Sequence, residues 1–214
     1  FEYDPNSIWQ QTARFTSDNS NPVFEVRFGV SVAIQNDIAL VGASRDDILG
    51  VQTGVVYLFK KDLEGNWLTT PERLSSSLSQ DGDFFGETVA FRGDTVVVGA
   101  PYADPLGCTN CGAAYIFIQD HEGNWSEATN IIRAGRIFGP GSADNYQFGH
   151  SVAVDGDIAV IGSFEHNDQS INAGNAYRYS LIPDGYVQAT GAKAVSTRVE
   201  TPITNLTLTY DGPT

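Results

Sequence analysis

Short apolar runs separated by tight polar turns dominate the chain. One set comprises Val30 to Ile34, Ile38-Ala39-Leu40-Val41 and Val56-Tyr57-Leu58-Phe59. A second comprises Thr88 to Phe91, Val96-Val97-Val98 and Ala113-Ala114-Tyr115-Ile116-Phe117. A third comprises Ser151 to Val154, Ile158 to Ile161 and Ala176-Tyr177-Arg178-Tyr179. Runs this short, bounded by Gly, Asn and Asp, predict β-strands. Asn36-Asp37, Gly93-Asp94 and Gly156-Asp157 join the first two runs of each set. These are the residues that two-residue hairpins favour. The second run of each set is apolar without alternation, which predicts burial on both faces. Gly, Asn, Asp, Ser and Thr interrupt every stretch before a helical period can build, so no helix is predicted.

The sets are copies of one unit. Phe28-Gly29, Phe85-Gly86 and Phe148-Gly149 open them, spaced 57 and 63 residues apart. Gly42-Ala43, Gly99-Ala100 and Gly162-Ser163 end the second strand, and Gly54, Gly112 and Gly174 precede the third. Trp9, Trp67 and Trp125 recur 58 residues apart and lead a fourth strand, with Tyr186 in that place in the last copy. Hairpins at 63–66, 121–124 and 183–185 introduce it. Four-stranded antiparallel units of this period predict β-propeller blades. The fold class is therefore all-β: three full blades (21–80, 81–141 and 142–195) and an N-terminal outer strand (1–20) completing a preceding blade. A ring of at least four blades is the usual minimum, so three imply a partial or oligomer-closed propeller. The alternation of 201–210 predicts one more half-buried strand in 196–214, an edge strand or the start of another domain.

Composition narrows the function. The 214 residues carry a formal net charge of −14 with 41% hydrophobic residues, a globular and strongly acidic balance. That argues against nucleic acid and against anionic membrane surfaces. No apolar run approaches the length of a membrane helix. The polar opening and the absence of Met are read as a mature protein or an excised piece.

Phe-Gly, Gly-Ala-Pro at 99–101, then Gly112 and Tyr115-Ile116-Phe117 together resemble the FG-GAP repeat of integrin α-subunit propellers. The Gly-Asp hairpin and the Gly-x-Trp strand bring the likeness closer to the bacterial, algal and protist variety. The resemblance spans residues 7–195 and implies an extracellular propeller used for adhesion, ligand binding or assembly. Integrin-type repeats often carry an Asp-rich calcium loop before strand two. Here that position holds only the three short hairpins, too few oxygens for a calcium shell.

Other residues are weighed individually. Asp81 and Asp83, and Asp46 and Asp47, are candidate oxygen donors for Ca²⁺, as are Glu165 and Asp168; solvated turn acids are the preferred reading, and no cofactor is required. Arg92-Gly93-Asp94 spells an integrin-recognition tripeptide, yet hairpin geometry already explains its Gly and Asp. Cys108 and Cys111 are the only cysteines and are expected to form an intraloop disulfide in an oxidising compartment. Asn124 and Asn205 head glycosylation sequons. His121, His150 and His166 are too dispersed to suggest a metal pair. No phosphate loop or nucleophile elbow marks an enzyme.

The resulting expectation is a non-enzymatic extracellular segment binding protein or glycan at the cell surface, without nucleic acid or membrane insertion, and associating with other propeller segments or itself. Its binding loops would be 44–53, 101–111 and 163–173, with Asp46, Asp47, Tyr102, Asp104, Glu165, His166 and Asp168 on them. Two alternatives stand beside it: a glycan-binding lectin and a structural subunit of a surface filament.

Overall fold

A computed structural model describes residues 11–18, 25–46, 51–104, 107–128, 136–137, 139, 144–163 and 174–181. Every regular element among them is a β-strand, and the strands form three antiparallel sheets. The first is β1 (Phe28–Gln35), β2 (Ile38–Ala43), β3 (Val55–Lys60) and β4 (Glu72–Leu74), in that order. The second is β5 (Thr88–Arg92), β6 (Thr95–Ala100), β7 (Ala113–Gln119) and β8 (Trp125–Glu127), with β9 (Arg136–Ile137) also paired to β7. The third is β10 (Phe148–Asp155), β11 (Ile158–Ser163) and β12 (Asn175–Ser180). These are propeller-like blades, and no closed ring forms among the described residues.

The hairpins obey their sequences. Asn36, Gly93 and Gly156 have φ of 51°, 62° and 55°, the left-handed conformation that a tight hairpin requires at its first turn position. Strand one of the outer two blades carries the same register shift, between Phe28 and Ser31 and between Phe148 and Ser151. Each blade buries its strands against the next. Leu40, Val56 and Leu58 of blade one meet Val96, Val98, Tyr115 and Phe117 of blade two in one core. Val97, Ala114 and Ile116, on the opposite face of blade two, meet Phe148, Ala159 and Ile161 of blade three. The expected two-sided burial of strand two holds for blades one and two. In β11 it fails: Ile158 and Val160 are exposed on the face turned away from blade two.

The fourth strand differs from its expected form. Trp67 makes one bridge to Lys61, and the ladder resumes only at Glu72–Leu74, opposite Val56 to Leu58. In blade two, β8 pairs with Phe117 to Gln119 and pairing resumes at Arg136–Ile137, opposite Ala114 and Tyr115. The outer edge of blades one and two is thus one interrupted strand. The expected fourth strand of blade three, and residues 196–214, lie outside the described residues.

Residues 11–18 form no ladder among the described residues. They lie on the face of blade one away from blade two, where Phe15 stacks on Phe59 at 4.4 Å and meets the edge of Trp67 at 5.1 Å. Leu74 occupies the corresponding place in the core around Phe85, Tyr115 and Phe117. Phe15 is therefore the packing counterpart of Leu74, in keeping with the tail of a repeat. The strand it would pair with is not among the described residues.

Candidate functional site

The repeated Phe-Gly unit is built as a joint between blades. In each copy the backbone N–H three residues beyond the residue before Phe closes a turn: Val30 to Arg27, Glu87 to Phe84 and His150 to Gln147. Glycine at the third position, with φ of 90° in all three, is what a type II turn demands. The residue before Phe is left-handed as well. Arg27, Phe84 and Gln147 have φ of 54°, 57° and 50°, a conformation uncommon for side-chain-bearing residues.

A cradle on the preceding blade receives this turn. A Cβ on Gly42 would lie 2.1 Å from the Gly86 carbonyl oxygen, and one on Gly54 would lie 2.0 Å from that of Phe85. At the second seam, a Cβ on Gly99 would lie 2.0 Å from the Gly149 oxygen, and one on Gly112 would lie 2.0 Å from that of Phe148. Glycine is required at these four places because backbone approaches backbone. Ser31 donates its hydroxyl to the Gly86 oxygen at 2.8 Å, and Thr88 donates to that of Gly149 at the same distance. The amides of Gly82, Phe84 and Phe85 donate to Val51, Gln52 and Thr53. Those of Asn145, Gln147 and Phe148 donate likewise to Thr109, Asn110 and Cys111.

The loops after strand two therefore serve partly as clamps. Cys108 and Cys111 are disulfide-bonded with Cα atoms 5.9 Å apart, and the bond closes the loop that holds blade three. Asp104 accepts the Asn110 amide at 2.6 Å, and Asp144 accepts that of Thr109 at 2.8 Å. At the same end, Arg45 lies over the ring of Phe84 at 5.1 Å, and Phe84 meets Tyr102 edge-on at 5.0 Å, all three residues being partly buried. This ridge of three side chains crosses the first seam. The sequence places Tyr102 on an expected binding loop but marks neither Arg45 nor Phe84; an aromatic just before Phe-Gly in one copy only was the available signal for Phe84.

Two of the candidate calcium ligands, Asp46 and Asp83, have other partners. Asp46 is buried and accepts the Tyr57 hydroxyl at 2.6 Å. Burial, reinforced by that bond, raises the Tyr57 pKa well above its ordinary value. Asp83 is buried and accepts the Gln80 amide at 2.9 Å, closing the turn in which Asp81 is exposed. Among the described residues no group of three or more His, Cys, Asp or Glu is arranged to hold a metal. Asp47, Glu165, His166, Asp168 and Asn205 lie outside the described residues.

Asn124 is exposed, but its amide donates to Asp120 at 3.2 Å, as Asn66 does to Asp62 at 3.3 Å. Backbone hydrogen bonds from Asn124 and Asn66 hold the two aspartates below their usual carboxylate range. The asparagine is thus a turn residue shared by both blades, sequon or not. Arg92 pairs with Asp155 of blade three at 3.3 Å, and the Gly93 amide donates to Gln35 of blade one at 2.8 Å. The Arg-Gly-Asp turn is clasped from both sides.

The family model of the FG-GAP repeat matches residues 9–59, 70–117 and 134–179, more than half of the chain. The chain belongs to this family. Each match ends within strand three, so the sequence unit is out of phase with the blade and straddles a seam. No curated protein matches the chain.

Proposed function

We propose that this FG-GAP repeat protein is a non-enzymatic, extracellular binding module that grips a partner protein with the loop end of its blades. The supporting observation is the Arg45–Phe84–Tyr102 ridge across the first seam. Aromatic and arginine side chains on a fixed scaffold supply large contact area at low entropic cost, and such residues dominate protein interfaces. The strands repeat while the residues at these loop positions change, as expected of specificity loops on a common frame. The disulfide supports an oxidising compartment.

The lectin reading has less behind it. Among the described loop residues Tyr102 of blade two has a nearby acid, Asp104, but that carboxylate already accepts the Asn110 amide. Direct binding of the whole chain to immobilised extracellular-matrix proteins and to a glycan array separates the readings. Protein binding weakened at least tenfold in Arg45→Ala and Tyr102→Ala supports the proposal. Glycan binding, or protein binding indifferent to both substitutions, overturns it.

A further inference from the structure

The hairpins that lead into the outer strands of blades one and two are built alike. In each, an aspartate side chain closes the turn. Asp62 accepts the backbone amides of Glu64 and Asn66 at 3.0 and 2.8 Å, and Asp120 accepts those of Glu122 and Asn124, both at 2.9 Å. Asn66 and Asn124 also donate their side-chain amides to the same aspartates, at 3.3 and 3.2 Å. The two copies differ two residues later. Leu68 follows in blade one and Ser126 in blade two, so of these two hairpins the second alone runs into the Asn-x-Ser triplet of an N-glycosylation acceptor. The turn accounts for Asn124 but not for Ser126.

Strand geometry presents this triplet outward. Successive side chains of a strand alternate between its two faces. Asn124 and Ser126 are exposed, while Trp125 between them is half-buried and meets the ring of Phe91 edge-on at 5.7 Å. The Asn124 Nδ2 carries two hydrogens. The turn uses one, toward Asp120; the other reaches only Glu122, at 3.5 Å, too long for a strong hydrogen bond. A sugar in place of that second hydrogen leaves the Asp120 contact and the backbone bonds of the turn intact.

We infer that Asn124 is an N-glycosylation site whose glycan stands at the hairpin end of blade two. The donor is a lipid-linked oligosaccharyl diphosphate. The bond from sugar C1 to the diphosphate oxygen breaks, a bond from C1 to Asn124 Nδ2 forms, Nδ2 gives up one proton, and the lipid diphosphate leaves. A glycan is bulky and solvated, so its position decides which surface stays open. Trp125 pairs with Gln119, the last residue of β7, whereas the loop 101–111 precedes Ala113, the first. The seven residues of β7 thus separate the glycan from the loop end, a span of about 20 Å. The glycan screens the hairpin end of blade two and leaves the loop end clear. This inference rests on the extracellular location proposed above and not on the partner proposed there.

Secretion of the whole chain from a eukaryotic cell, behind an added signal peptide, tests it. Peptide:N-glycosidase digestion in heavy-oxygen water converts a glycosylated asparagine to labelled aspartate, and peptide mass spectrometry locates the label. Label is expected at Asn124 and not at Asn66, and the mapping keeps Asn124 apart from the second sequon at Asn205. Ser126→Ala loses the Asn124 label and the gel-mobility shift that goes with it, while circular dichroism and melting stay parental because Ser126 is exposed. The host supplies the secretory pathway, so the readout is independent of partner binding: a chain that carries label at Asn124 but grips no protein supports the glycan and overturns only the loop-end reading. A secreted chain without label at Asn124, or label that persists in Ser126→Ala, overturns the inference.

Discussion

Val97 and Val160 occupy the same position of strand two in consecutive blades, yet one is fully buried and the other 41% exposed. The difference lies in the neighbour on the far side of each strand. A Phe-Gly turn and a blade face cover Val97, whereas no described residue does this for Val160. The strands are alike, so the pattern of the repeat is not what makes a blade stable. Burial of strand two is a property of the seam, supplied half by the neighbouring blade. A single blade of this sequence has two apolar faces and covers neither.

The seam glycines should show this most strongly. Gly99→Ala places a Cβ 2.0 Å from the Gly149 carbonyl oxygen, a backbone atom that cannot rotate away. The expected loss exceeds the roughly 1–3 kcal/mol usual for overpacking, because two sheets must separate. Gly162→Ala meets only the Ser151 hydroxyl, which can turn aside, and should cost under about 1 kcal/mol. Urea unfolding of both variants gives the comparison. Equal losses would mean that the glycine serves its own strand and not the seam.

Next come the phenylalanines. Phe85 is fully buried between the rings of Tyr115 and Phe117, at 5.1 and 5.9 Å, and packs with Leu40 and Leu58 of blade one. Phe85→Ala should cost about 3–5 kcal/mol. Phe28 holds the same place in blade one but is only half-buried, with Tyr57 at 5.4 Å. Phe28→Ala should cost distinctly less, and calorimetric melting temperatures should rank the two in that order.

The strands and hairpins were legible because period, turn residues and repetition agreed at every copy. Gly93-Asp94 announces its hairpin, and the unbroken run Val96-Val97-Val98 announces its burial. The seam was less legible because it is written in the backbone. Gly42, Gly99 and Gly162 read as strand-end glycines, and only their neighbours across the seam reveal the cradle. The left-handed residue before Phe-Gly is Arg, Phe or Gln, three side chains with nothing in common. In Phe84 and Gln147 the amide is held in the inter-blade ladder, which no side-chain pattern encodes. The break in the outer strand was hidden too, since Trp67 and Leu74 both look like strand residues and the missing pairs lie between them.

The first blade carries a tyrosine–aspartate contact with no counterpart in the second. Tyr57 donates to buried Asp46, and Ala103 stands where Asp46 would be in blade two. Tyr57→Phe removes that donor from a buried carboxylate and should cost about 1–3 kcal/mol. The hydroxyl's pKa is raised in the fold from an ordinary 10.0, so the folded chain keeps the proton longer than the unfolded chain. Its stabilisation is complete below about pH 10 and is lost as the pH rises from there toward the folded value. Alkaline melting curves should show a loss in the parent that is reduced in Tyr57→Phe. A parallel decline in both would place the alkaline sensitivity elsewhere.

The smallest effect is expected at the disulfide, where the two seams differ chemically but not in their backbone ladders. Thr109, Asn110 and Cys111 accept the amides of Asn145, Gln147 and Phe148, just as Val51, Gln52 and Thr53 accept those of Gly82, Phe84 and Phe85. Blade one makes this ladder without a covalent bond, so the bond is not what creates it. The loop that Cys108–Cys111 closes is short, and chain-entropy reasoning assigns it at most about 2 kcal/mol. Cys108→Ser/Cys111→Ser should therefore lower global stability by no more than that. Its effect should be local: faster hydrogen exchange at the amides of Asn145, Gln147 and Phe148, with those of Gly82, Phe84 and Phe85 unchanged. Exchange rising equally at both seams would show that the blades open together, and that the second seam does not depend on its disulfide more than the first depends on its plain loop.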